Sequence, residues 1–211
     1  MTSSFFIGAN TVRGYAGDNR PVLRVSTPEP FGSSGAETIY LVFDHDFSLF
    51  TGPVTARLTM TSVDGGFGAN ASAGQPFVVS AHGLTADPLA SIIDDTQPDG
   101  SMSWQTYFST HVLAADAAAR TAISGFGEVE FDVSALVNDW ISGSNAIHAL
   151  ALTGLNDSSG NDFLHGFLNS SEAPGAVRLT ISPVPEPSAW ALLAAGLGVA
   201  GLSARRRGAA R

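Results

Sequence analysis

Oxygen donors are the first residues in this chain that could do chemistry. Asp44 and Asp46 flank His45 directly after an apolar run, and Asn156, Asp157, Asn161 and Asp162 crowd one polar stretch. Carboxylate and amide oxygens in short loops are the donor set of calcium, which takes about six to eight of them. Asp44, Asp46, Asn156, Asp157 and Asp162 are therefore the candidate calcium ligands. The competing reading is an Asx turn, in which the side-chain oxygen is occupied by the chain's own amides. Trp104 and Tyr107 sit in a stretch of little periodicity and could stack on a sugar ring, which makes them the candidate ligand-binding residues; packing in the interior is the alternative. Trp140 falls in a patterned segment and reads as core.

Other chemistries lack their residues. The five His, at 45, 82, 111, 148 and 165, are scattered, with no His-x-His and no His-Glu-x-x-His, and there is no Cys. That argues against zinc, a thiolate nucleophile and disulfides. All ten basic residues are Arg, so no phosphate loop ending in Lys exists, and no Gly-x-Ser-x-Gly is present. Paired carboxylates for glycoside hydrolysis depend on a separation across a cleft, which the order of residues does not supply.

The elements that must position these residues are mostly strands. With 23 Gly and only 14% charged residues, the 211-residue chain suits many short strands joined by turns better than a helical bundle. Thr38 to Asp44 is a nearly continuous β-branched and aromatic run, expected to be buried on both faces. Val54, Ala56, Leu58 and Met60 alternate with Thr and Arg, which predicts a half-buried strand starting after the Gly52-Pro53 turn and ending at Asp64-Gly65-Gly66. Further strands are expected at 76–81, 127–132, 146–152, 164–168 and 177–181. Residues 5 to 25 offer two apolar segments, Phe5-Phe6-Ile7 and Val22 to Val25, separated by loop. Residues 84–100 read as loop and 104–108 as a short strand or loop cap. The Ala-rich stretch from His111 to Thr121 favours a helix by propensity. A short helix is predicted near residues 133–142, with Asp132 as N-cap, Phe131 and Leu136 at staple spacing and Gly143 at its end; Leu136, Val137, Trp140 and Ile141 make its apolar face.

Charge divides the chain. Ahead of Pro183 there are eighteen Asp and Glu against six Arg, whereas the remainder has four Arg against Glu186. An acidic body repels nucleic acid, so no nucleic-acid partner is expected. The remainder has its own order: Val184-Pro185-Glu186-Pro187, an uncharged run over 188–204, then Arg205-Arg206-Arg207. About 17 residues at about 1.5 Å rise give roughly 25 Å, against a hydrocarbon core of about 30 Å, so the run spans a bilayer only marginally. Trp190 suits the outer interface, and the Arg cluster would hold the C-terminus inside. A buried C-terminal helix fits poorly, because it would follow Pro-x-Pro and stop at three arginines.

Those three blocks, in that order, closely resemble the PEP-CTERM sorting signal of Gram-negative bacteria. The resemblance implies recognition by exosortase, a membrane-embedded transpeptidase-like enzyme, and cleavage near Pro185-Glu186-Pro187. The chain would be its substrate, passing through the inner membrane by a transmembrane sorting helix. Pro28-Glu29-Pro30 has no apolar run or basic cluster after it and reads as a loop. Met1 to Gly8 lacks the basic and long apolar regions of a secretory leader, so a leader encoded upstream is expected.

A second resemblance covers most of residues 10–182. Phe131 to Trp140 with a following strand, Phe167 to Ala173 with a last strand, and the early pair Tyr40–Asp44 and Val54–Met60 are similar to DNRLRE-type carbohydrate-binding modules. That implies a jelly-roll β-sandwich, with no sugar-binding residue carried across and no counterpart for residues 65–119. The expectation is an all-β chain: an exported β-sandwich domain over 1–182 with one short helix, then a sorting tail over 183–211. Its expected role is a non-enzymatic cell-envelope or extracellular-matrix protein, with weak polysaccharide contact and calcium as the one candidate cofactor; a secreted glycan-active enzyme on the same scaffold is the alternative.

Overall fold

The computed structural model describes residues 5–8, 10–13, 22–27, 37–66, 68–92, 102–169, 173 and 175–184. Its framework is the strand β5 (Val54–Val63), following β1 (Phe5–Gly8), β2 (Asn10–Arg13), β3 (Val22–Ser26) and β4 (Ile39–Val42). Then come β6 (Phe77–Leu84), α1 (Pro88–Ser91), α2 (Trp104–His111), β7 (Val112–Ile123), β8 (Gly127–Asp132), α3 (Ser134–Ser142), β9 (Ala149–Thr153), β10 (Leu164–Leu168) and β11 (Val177–Pro183). Every strand pair is antiparallel. One sheet has the order β1-β11-β5-β10-β3 with β8 also on β5; the other has the order β2-β4-β9-β6-β7. Because β8 pairs residues 57–62 of β5 while β11 pairs 54–60, the two lie on opposite edges of it.

Alternation decides which faces meet. Val54, Ala56, Leu58 and Met60 are buried and pack with Ile39 and Leu41 of β4, Leu150 and Leu152 of β9, and Leu179 and Ile181 of β11 in one core shared by both sheets. Of the residues between them on β5, Thr55 and Arg57 are exposed and Thr59 is buried, so this sheet turns a wet face outward at the start of the strand. The other sheet is covered on both sides. Tyr40, Ala149 and Ala151 point away from the shared core into a second cluster with Leu84, Ile92 and Tyr107, which α1 and α2 help to form. This explains why β4 reads as a continuous apolar run and β5 as an alternating one.

Several expectations are corrected here. The Ala-rich stretch is the twelve-residue strand β7, paired along β6 from Phe77↔Ile123 to Leu84↔Val112 with two register shifts around His82. Helix propensity favours Ala by only tenths of a kcal/mol per residue, and a full ladder against a buried neighbour outweighs it. Residues 104–108 are helical, because the Ser103 hydroxyl caps the amide of Thr106 at 3.3 Å. β2 lies where loop was expected, and α1 interrupts the loop after Leu84. The cap of α3 is Val133 rather than Asp132; Asp132 still accepts from the Ser134 amide at 3.2 Å, one residue earlier than a regular cap. Gly143 closes the helix in the left-handed region at φ 76°, as its position predicted.

α3 closes one end of the body. Leu136, Val137 and Trp140 are buried on its inner face. Trp140 meets Phe47 edge-on at 5.1 Å, where a 3-10 turn over Phe47–Leu49 comes in underneath. The Asn138 amide bonds both the N–H and the C=O of Val54 at 2.9 Å, fixing the helix to the first residue of β5.

Candidate functional site

The two groups of oxygen donors stand apart. Val42 pairs with Ala149 at one end of β9, and Thr153 leads into the Asn156–Asp162 loop at the other, so the five-residue strand separates the groups by about 13 Å. Asp46 is an Asx turn: its Oδ1 accepts from the Ser48 amide at 3.0 Å and hydroxyl at 2.6 Å, which holds its carboxyl below the usual range. Asp157 accepts from the Val78 amide at 3.0 Å and from the Ser159 amide at 3.1 Å. Asp44 and Asp162 are exposed. Among the described residues, no three His, Cys, Asp or Glu side chains gather as a metal site.

Tyr107 is fully buried, so it is not open to a sugar. Its ring meets Tyr40 edge-on at 5.2 Å and its hydroxyl donates to the Ala86 carbonyl, and this burial holds the phenol proton well above the usual range. Trp104 opens α2 at the first turn. Trp140 is core, as its pattern indicated.

A contact that no local spacing announces lies across the wet sheet. Ser62 Oγ is 2.6 Å from His165 Nε2, 103 positions away in sequence. The pair looks like a nucleophile and its base, but its protons run the wrong way. The Ala71 amide donates to His165 Nδ1 at 3.2 Å, so Nδ1 carries the lone pair and Nε2 the proton. Nε2–H therefore donates to Ser62, whose own hydroxyl donates to the Gly125 carbonyl at 2.9 Å. The imidazole has no free lone pair with which to activate the serine. Burial holds its pKa down to about 4. His82 is likewise buried: Nδ1 faces the Leu113 carbonyl at 3.2 Å and so donates, while Nε2 accepts from Thr153 at 3.1 Å, and desolvation lowers its pKa.

Gly125 belongs to the tight turn between β7 and β8, and an open groove of about 370 Å³ lies beside it. Its lining includes Thr121, Ser124, Phe126, Glu128 and Glu130. Phe126 is 61% exposed, yet its ring lies stacked over the buried His165 at 5.8 Å. The carboxylates stand within reach of arginines on the wet face: Glu128 is 3.6 Å from Arg178 and Glu130 3.8 Å from Arg57. Sequence reasoning passed over Phe126; the one available signal was an aromatic residue flanked by Gly125 and Gly127 in a turn.

The second site is where the chain leaves the body. Pro183 pairs with Val54, and the Val184 amide donates to the Pro53 carbonyl at 3.0 Å. Leu49, in the adjoining 3-10 turn, is 72% exposed. Pro185, Glu186, Pro187, the 188–204 run and Arg205 to Arg207 lie outside the described residues, as does Pro28-Glu29-Pro30. Among the described residues, no helix is long and apolar enough to cross a membrane.

Comparison with known proteins bears on this exit. No curated protein matches the chain. A family model matches residues 183–207, and that match does not extend to the body, whose resemblance to carbohydrate-binding modules it does not show. The matched family is the PEP-CTERM protein-sorting motif, and the C-terminal tail of this chain carries that motif, beginning on the last residue of β11.

Proposed function

We propose that this chain is an exported protein of the cell envelope or extracellular matrix, processed by exosortase in the inner membrane and carrying a non-enzymatic β-sandwich as its cargo. The observation that carries the reading is the sorting motif over 183–207, abutting a strand of the body with no spacer. The two antiparallel sheets sharing one core support a sandwich, the architecture to which jelly rolls belong. A weak polysaccharide contact is best supported at the β7–β8 groove, where the exposed Phe126 ring, stacked on His165, offers a flat apolar surface beside hydroxyls and carboxylates. Acidic lining favours a neutral or amino sugar over an anionic one. The proton order at Ser62 and His165 counts against a serine hydrolase at this position.

Deleting residues 184–211 tests the reading. The truncated protein is expected to lose its envelope location and its exosortase-dependent shortening in a host that has the enzyme. An unchanged location and unchanged size after deletion would overturn it.

A further inference from the structure

The sorting motif starts on a residue that is still part of the sheet, which limits how far the body can stand from the membrane. Val184 is bonded to Pro53, and the uncharged run begins at Ser188. Four residue steps reach at most about 14 Å even when fully extended. Before cleavage, the end of the body around Val54 and Pro183 must therefore sit at the headgroup layer.

That end exposes apolar side chains to solvent. Leu49 is 72% exposed and Val184 40% exposed, on either side of the exposed Gly52-Pro53 corner. A lone exposed leucine is ordinary on a protein surface. Here the tether singles it out, since only four steps of chain lead from Leu49 to Pro53, the residue holding Val184. The exposed Asp44 and Asp46 lie beside the same turn, so the face suits zwitterionic headgroups and is repelled by anionic ones. The opposite end of β5 tells the complementary story. Ser62 and its partner Gly125 lie eight steps along the strand from Val54, about 26 Å away.

Resting on the sorting reading of the tail, we infer that the face formed by Leu49, Pro53 and Val184 docks on the zwitterionic headgroup layer of the bilayer before cleavage, with the Phe126 groove held outward. Hydrolysis or transfer at the Pro-Glu-Pro peptide then separates this face from the tail and lets it leave the bilayer.

The absence of Cys allows a direct test with single labels. Full-length L49C, A122C and L197C, each carrying one fluorophore, are placed in phosphatidylcholine vesicles containing nitroxide either on the headgroup or in the acyl chain. Position 122 is exposed and lies on β7 near its turn into β8, and position 197 reports entry of the tail. Headgroup quenching at 49 is expected to exceed that at 122 by at least threefold, with acyl-chain quenching at 197. A twelve-residue Gly-Ser spacer after Val184, with a mean reach of about 20 Å, is expected to lower quenching at 49 to the level of 122 and leave 197 unchanged. Equal quenching at 49 and 122 with 197 in lipid overturns the docking and spares the sorting reading. An unquenched 197 overturns both. A label at 49 that is shielded only when exosortase is added also overturns lipid docking, and assigns the face to the enzyme instead.

Discussion

Acid should loosen this body in a defined window, and His165 gives the size of the effect. In the folded chain its ring is fully buried, with Nδ1 accepting from Ala71 and Nε2 donating to Ser62, so only the neutral form fits. Its pKa falls from 6.5 to about 4. As pH drops below 6.5 the unfolded chain takes up a proton that the folded chain refuses, and stability declines until about pH 4, where both forms are protonated. At about 1.4 kcal/mol per pH unit, the loss is about 3 kcal/mol. His82 adds to it in the same direction. The low-lying carboxyls of Asp46, Asp64 and Asp132 lose their stabilisation only below their ordinary range, at more acid pH. Urea unfolding of the full chain in a zwitterionic detergent at pH 7 and pH 4 measures the difference, which corresponds to a midpoint drop of about 6–12 °C on heating. H165Q removes the titration; it should be less stable than the parent at pH 7 but lose about 3 kcal/mol less between the two conditions. An equal loss in both proteins would refute the assignment of the window to His165.

Two further outcomes follow from the same geometry. F126A should abolish any retention of the chain on an insoluble neutral polysaccharide while leaving the thermal midpoint within a degree or two, since the ring is largely exposed; unchanged retention would remove the groove from consideration. G154A should destabilise the body by about 1–3 kcal/mol in urea, because an added Cβ would stand 2.5 Å from the Ser26 carbonyl oxygen and 2.7 Å from the Phe77 ring.

What the sequence made legible depended on how local the cause was. The tail is read from order alone, because an apolar run between Pro-Glu-Pro and an Arg cluster carries its meaning without a fold. β5 was legible because one of its faces is wet, and the doubly covered β4 because α1 and α2 bury what alternation would otherwise expose. β7 was not, since alanine side chains say nothing of the partner strand that recruits them. The helical start at Ser103 was available in principle from a hydroxyl three residues ahead of Thr106. The Ser62–His165 contact was beyond reach: it exists only because β5 and β10 pair at Ser62↔Phe167, and no spacing encodes that register. The same holds for Tyr107, whose burial depends on meeting Tyr40 across elements far apart in the chain.

The adjacency of β11 and the sorting motif also sets a schedule. β5 lies in the middle of its sheet, and the edge that β11 occupies along residues 54–60 stays open until residues 177–183 arrive. These are the last strand residues of the body to be synthesised, and the sorting motif begins on the final one of them. Until they arrive, β5 is held along residues 57–62 by β8 on its other edge, and the core lacks Leu179 and Ile181. The sheet can therefore close only once the chain has been made as far as the first residue of the sorting motif, so a chain that carries the complete motif has every strand it needs to fold.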